Sequence, residues 1–290
     1  LHRHSNRLDE LLVTGRTRHR PHHSPIAASE STVRPNASLG AMVRPLILLS
    51  NDDGYRAAGI NALRLALSEF AEVIVCAPEI EQSATSHALS VHRALRLFEP
   101  APGVFSIDGT PADCVYVALH GKTRILPRWP DLVLSGVNHG VNLGDDVFYS
   151  GTVAAAREAA LKGIPALAVS TPHDADMDRA ADLARRVSQA LLLRPLTAPL
   201  LLNLNVPKGY SALRAARLGR RIYHDVVDFR RDPRGREYLW LGGPSAESEA
   251  LPGSDTEAFD AGVASLTPLS LDLWAREADE VVARVLSDLA

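Results

Sequence analysis

Two adjacent carboxylates, Asp52 and Asp53, sit in the stretch "LILLSNDDGYRAAG", where an apolar run breaks into polar residues. Side by side they repel unless a cation lies between them, and two carboxylates at a strand end neutralise a divalent ion. An all-oxygen donor set suits Mg²⁺ or Mn²⁺ over Zn²⁺, and a neutral Ser or Asn completes such a shell without adding charge. Further along, "SGVNHGVNLGDDVFYSGT" spaces Gly136, Gly140 and Gly144 so that backbone N–H groups approach an anion closely. Its end, Ser150, Gly151 and Thr152, opens a helix, where hydroxyls and amides meet a positive dipole end fit for phosphate. A cation site beside a phosphate cradle describes metal-assisted phosphoester chemistry.

Each part has a plainer reading. An Asp-Asp pair is often a turn or a helix cap, and "YSGT" taken alone is more often a cap than a ligand site. The glycines match neither the dinucleotide fingerprint nor the P-loop. Ser135 and Ser150 lack the Gly-x-Ser-x-Gly setting of a nucleophile elbow. Asp145 and Asp146 serve as metal ligands or as loop caps with nearly equal ease. Of the scattered histidines His87, His92, His120, His139 and His224, only His87 and His139 fall in candidate site loops. The conjunction of segments carries the inference.

The elements that must position them alternate. Buried-strand runs at 44–50, 72–78, 130–136, 164–170 and 199–207 are separated by helical periodicity at 58–71, 110–121, 152–163 and in "DMDRAADLARRVSQALLLR". Such βαβ repetition predicts an α/β fold, a Rossmann-like parallel sheet with helices on both faces. Segments 91–98 and 104–107 read as β, and Thr110, Pro111 and Asp113 as cap, first position and capping box of a helix. Ligands in open α/β sheets gather beyond the carboxyl ends of the strands. This nominates 50–54, 79–87, 135–151 and 170–174. After Pro207 the alternation changes: 216–243 reads as a long hairpin turning at Asp232–Gly235, the appendage spanning about 213–243. The stretch "PSAESEALPGSDTEAFDAG" reads as a loop, and a last strand and helix fill about 259–290.

Composition bounds the partners. A chain of 290 residues with net charge −3 points to neither a nucleic-acid polymer nor a membrane surface. No apolar run is long enough to span a bilayer. Residues 1–41, with six Arg, no Lys and five His, read as a disordered extension preceding the domain at 42–290. Without that segment the balance is 25 basic to 31 acidic residues, a body that attracts cations. Cys76 and Cys114 lie in apolar segments and read as free thiols of a reducing, cytoplasmic setting.

In order, "ILLSNDDG", "APEIEQSATSHALS", "DGTPADCV", "DLVLSGVNHGVNLGDDVFYSGTVAAAREA", "NLNVP" and "GSDTEAFDAGVASLTPLSLD" resemble the survival protein E family of metal-dependent nucleotidases. The resemblance covers essentially all of 42–290. It implies a Rossmann-like domain with a protruding hairpin and a C-terminal segment used in homodimer or homotetramer assembly. It also implies hydrolysis of nucleoside 5′- and 3′-monophosphates with some action on short polyphosphate. One divalent ion per subunit, Mg²⁺ or Mn²⁺, is implied on Asp52, Asp53, Ser83 and Asn138. Gly136, Asn138, Ser150, Gly151 and Thr152 are then the phosphate contacts. The family pattern has glycine after the metal serine, where this chain has Ala84; if that position needs φ > 0, alanine costs about 1 kcal/mol. His139 fills a variable slot and reads as solvent-facing.

The expected reaction is in-line attack by a metal-bound water, with Asp52 or Asp53 accepting its proton and Asn51 orienting the site. A rival makes Asp52 a covalent nucleophile. A rival of another class is a non-catalytic nucleotide sensor using the same metal and anion site.

Overall fold

A central sheet of nine strands, ordered β3-β4-β2-β1-β5-β6-β7-β13-β8, organises the chain in the computed structural model, which describes residues 44–195, 199–223, 226–242, 246–249 and 251–289. The extension at 1–41 and His224 lie outside these residues. Strands β1 (Leu46–Ser50), β2 (Glu72–Pro78), β4 (Val104–Ile107), β5 (Leu132–His139), β6 (Ala166–Thr171) and β7 (Leu201–Asn205) pair in parallel. Their near-continuous apolar runs are buried because helices cover both faces. Helices α1 (Ala58–Ser68) and α4 (Met177–Leu192) pack on one face, and α2 (Pro111–His120) and α3 (Gly151–Leu161) on the other.

Three strands run against the rest. Edge strand β3 (Leu97–Ala101) is antiparallel to β4, and β13 (Ala264–Leu269) is antiparallel to β7 and parallel to β8 (Leu213–Ala215). The sheet is therefore mixed but mostly parallel, as the βαβ alternation predicts. The chain leaves β1 first toward β2 and later returns toward β5, so strand order reverses between β1 and β5, where a ligand crevice opens.

Three expectations need correction. Residues 91–96 are not strand: the Arg96 amide at their end donates to Asp108 Oδ1 at 2.7 Å, so a side chain satisfies backbone that a ladder would otherwise bind. Strand β5 runs past Gly136 to His139, because after a register shift Asn138 and His139 still pair with Ser170 and Thr171. The stretch 244–262, read as a loop, holds a short strand at Ala246–Ser248 and a short helix, α5 (Asp255–Asp260), capped by Ser254, whose Oγ accepts from Glu257 N. By contrast α2 begins as predicted, with the reciprocal Thr110–Asp113 capping box and Pro111 inside it.

The appendage is a ribbon of β10 (Val226–Arg231) and β11 (Glu237–Gly242), antiparallel, beside a second pair made by β9 (Arg221–Tyr223) and β12 (Ala246–Ser248). Asp232 makes the turn: its side chain accepts from the amides of Arg234 and Arg236, and its carbonyl from Gly235 N. Phe229, Leu239, Trp240 and Leu241 stay exposed on the ribbon, as do Val281, Val285 and Leu289 in and just past the terminal helix α6 (Asp279–Asp288).

Candidate active site

Loops at the carboxyl ends of β1, β2 and β5 meet around a cleft of about 580 Å³, while the nominated segment 170–174 does not line it. Asp52, Ser83, Asn138, His139, Asn142 and Ser150 line it, and Tyr223 and Leu241 of the appendage close its far wall.

Asp52 is almost fully buried (4 % exposed). Thr152 Oγ1 donates to its Oδ1 at 2.5 Å, and the Thr152 amide also bonds it. Burial first, then the neighbouring Asp53 charge, push its carboxyl up to about 6 against the pull of the Thr152 bonds. Asp53 is only half-buried; burial raises its carboxyl too, while its Oδ2 accepts from His139 N at 3.2 Å. Among the described residues neither carboxylate has a Lys or Arg partner. Asn51 closes the turn behind them, Nδ2 donating to Gly54 O at 2.9 Å, and its buried Oδ1 is left without a partner.

Gly151 begins α3 hard against this pair: a Cβ there would lie 2.9 Å from Asp52 Cβ. Its amide, at the first helical position, has no intrahelical acceptor, and Ser150 Oγ caps Val153 N at 3.0 Å. Thr152, expected to contact phosphate, spends its hydroxyl on Asp52 instead. Gly136 is a glycine because a Cβ would fall 2.3 Å from Val169 O, a matter of packing β5 against β6 rather than of an anion contact.

The Asn138 Nδ2 donates to Gly140 O at 2.7 Å, which leaves its side-chain oxygen free to accept or to ligate a cation. Ser83 stands on the loop after β2, its Oγ donating to Glu81 Oε1 at 2.8 Å. That loop is pinned on all sides: Gln82 N to Asp52 O at 2.8 Å, Ser86 N to Tyr149 O at 3.0 Å, His87 Nε2 to the buried Glu158 at 2.9 Å, and Thr110 Oγ1 to Ala88 O at 2.7 Å. Ala84 adopts φ +57°, the left-handed conformation that the sequence comparison flagged as a glycine position. Ala84→Gly is expected to stabilise the fold by about 1 kcal/mol in thermal or denaturant melts, since the strain leaves with the Cβ.

Two buried networks hold the glycine-rich loop, and sequence reasoning missed both. Asn203 and Asn205 of β7 donate to Asn142 O at 2.7 and 2.9 Å, and Asn142 Nδ2 donates to Ser170 Oγ at 2.8 Å. Alternating Asn in the otherwise apolar "LLNLNV" was the available signal. Asp146 is no free ligand: Arg221 Nη1 bonds its Oδ2 at 2.7 Å and the Tyr223 hydroxyl its Oδ1, tying β9 to the cleft. His139 is exposed, and its ring stands 4.6 Å from that of His173. His92 and His120 stay outside the cleft.

The donor set fits a divalent cation. Asp52 lines the cleft with Ser83 and Asn138, Asp53 adjoins it against His139 N, and together they offer an all-oxygen donor set.

The sequence profile of the survival protein SurE family matches residues 47–225. The 5′-nucleotidase SurE of Sorangium cellulosum is 57 % identical over 255 residues, covering 85 % of this chain and 98 % of that protein. That of Syntrophotalea carbinolica is 46 % identical, covering 82 % and 96 %. The crystal structure of the SurE protein from Aquifex aeolicus superposes with a TM-score of 0.72 at 35 % identity, over 83 % of this chain and 99 % of that one. The cleft geometry, the profile and these relatives agree: the chain belongs to the survival protein SurE family.

Proposed function

We propose that this protein is a 5′-nucleotidase, a metal-dependent phosphomonoesterase that hydrolyses nucleoside 5′-monophosphates, and 3′-monophosphates with them, to nucleoside and phosphate. The observation that carries the proposal is the pair Asp52–Asp53, without a Lys or Arg partner among the described residues, with Asp52 in the cleft abutting the start of α3. Relatives named 5′-nucleotidase, similar over nearly their whole length, support the same reading.

One Mg²⁺ or Mn²⁺ per subunit would be held by Asp52, Asp53, Ser83 and Asn138. When bound it supplies charge to polarise the phosphoryl group and acidify a water. The residues then divide the work. Thr152 and Asn51 fix the carboxylates; Ser150 and the Gly151 amide face the phosphoryl oxygens with the α3 dipole behind them. Asp53, the more open acid, accepts the proton of the attacking water. Asp52, buried and doubly bonded by Thr152, orients rather than attacks. Tyr149, Tyr223 and Leu241 form the wall for the nucleoside. Two buried free cysteines suit a reducing cytoplasm, and among the described residues no helix is long and apolar enough to cross a membrane. The exposed aromatic ribbon and α6 suit assembly into a homodimer or homotetramer.

Purified protein mixed with AMP and Mn²⁺ is expected to release phosphate. A folded chain that binds AMP yet releases none with any divalent metal overturns the proposal and leaves a sensor.

The Asp52 environment gives a second expected result. Its carboxyl is raised from 3.8 to about 6, so the folded state holds that proton more tightly than the unfolded chain does. The resulting stability is present below pH 4 and is lost as pH rises through 6, about 3 kcal/mol in all. With chelator present, Asp52→Asn should therefore gain about 3 kcal/mol on wild type between pH 4 and pH 7 in urea melts. Excess Mn²⁺ at pH 7 should close that gap; a gap indifferent to pH and metal contradicts the assignment.

A further inference from the structure

A second cavity, about 270 Å³, opens between α1 and the β3–β4 edge, away from the cleft loops. Arg56, Arg64, Tyr55 and Asn61 line it over an apolar floor that includes Ile60 and Val104, and no carboxylate is among its lining residues. Arg185, Arg214 and Arg221 each bond an acid, at 2.6, 2.7 and 2.7 Å. Arg56 and Arg64 have no acidic partner among the described residues. Arg64 Nε is buried and bonded to nothing, and Arg56 lies over the Tyr55 ring at 4.7 Å. The Asn61 amide nitrogen is already spent on Arg56 O and Ala57 O, at 3.2 and 2.9 Å, which fixes the start of α1.

Two guanidiniums line one cavity, Arg56 exposed and Arg64 half-buried, in a body with more acids than bases. A buried donor without an acceptor is among the more costly groups a fold can hold. A tetrahedral oxyanion supplies what both lack, acceptors for charge-assisted and bidentate hydrogen bonds. We propose that this cavity binds a phosphate group, separately from the catalytic cleft, either as inorganic phosphate or on a small phosphomonoester. Its position gives occupancy a route to the chemistry. Tyr55 and Arg56 follow directly on Asp52–Gly54, and Tyr55 N donates to Pro78 O at 2.9 Å, just before the Ser83 loop. Phosphate held there grips the segment that carries both acids. That regulatory consequence rests on the proposed phosphatase reading; the binding itself does not.

The test is equilibrium dialysis of the full chain against labelled inorganic phosphate, and separately AMP, in EDTA. The wild type is expected to bind both, and Arg56→Gln/Arg64→Gln to lose at least tenfold in affinity for each. The double variant should keep Mn²⁺-dependent turnover at low AMP. Arg64→Lys, which keeps the charge and loses the fork, should weaken binding severalfold and serves if the double variant does not fold. Three results overturn the site: no metal-independent binding by wild type, undiminished binding by the variants, or binding of AMP without phosphate. Phosphate binding that persists where AMP is never hydrolysed overturns the nucleotidase reading and leaves this site standing.

Discussion

Asp53→Asn is expected to lower kcat/KM for AMP by about 10³-fold or more, because a divalent ion contributes several kcal/mol of transition-state charge stabilisation. The substitution keeps the shape of the side chain and an oxygen to accept from His139 N, now 3.2 Å from Oδ2. The fold should therefore survive, with a melting temperature near that of wild type. The losses should appear together in turnover and in Mn²⁺ affinity measured by calorimetry on the metal-free protein. A variant that keeps full metal-dependent turnover defeats the placement of the cation on this pair. Single-turnover hydrolysis in ¹⁸O-water adds the mechanistic half: label in phosphate supports direct attack, and label in the Asp52 carboxylate supports the covalent route. The burial of Asp52 and its bonds to Thr152 favour the first.

Asp255→Ala is expected to destabilise the fold by about 3–5 kcal/mol, although Asp255 lies outside the cleft. Its buried carboxylate accepts from Gly144 N at 3.0 Å, Gly219 N at 2.7 Å and Thr256 N at 2.8 Å. One side chain thus joins the glycine-rich loop, the root of the appendage and α5. Alanine leaves three buried donors orphaned, at about 1–3 kcal/mol each before relaxation. Burial raises the Asp255 carboxyl while the three amides hold it down, so Asp255→Asn, with one acceptor oxygen, should be intermediate. Denaturant melts rank the three proteins. An alanine variant within 1 kcal/mol of wild type, on the same scale of orphaned donors, would show that water or a shifted loop replaces the carboxylate.

The parallel body was legible because its strands are covered on both faces: runs such as Leu46–Leu49 have no polar alternative. Asp52 and Asp53 were legible for the opposite reason, since adjacent acids at the end of such a run have no packing rationale. Asp255 was not. In sequence it is one acid of several in a polar stretch, and only the fold brings Gly144 and Gly219 to it. The same holds for Thr152: its position at a helix start is readable, but that it serves Asp52 depends on α3 beginning against the end of β1. The β character assigned to 91–96 failed where Asp108, twelve residues on, claims the Arg96 amide.

The loop after β2 bears on when the site comes into being. Anchored to β1, α2 and α3, it is rigidified by folding itself, so a cation arriving there orders little that is not already ordered. In small zinc-nucleated domains the ion and the fold form together; here the chain's own cooperativity assembles the ligands beforehand. Entropy lost by the Ser83 segment is thus settled in the folding transition, and the affinity of Asp52 and Asp53 for the proposed ion would be set by electrostatics and desolvation rather than by ordering of the chain.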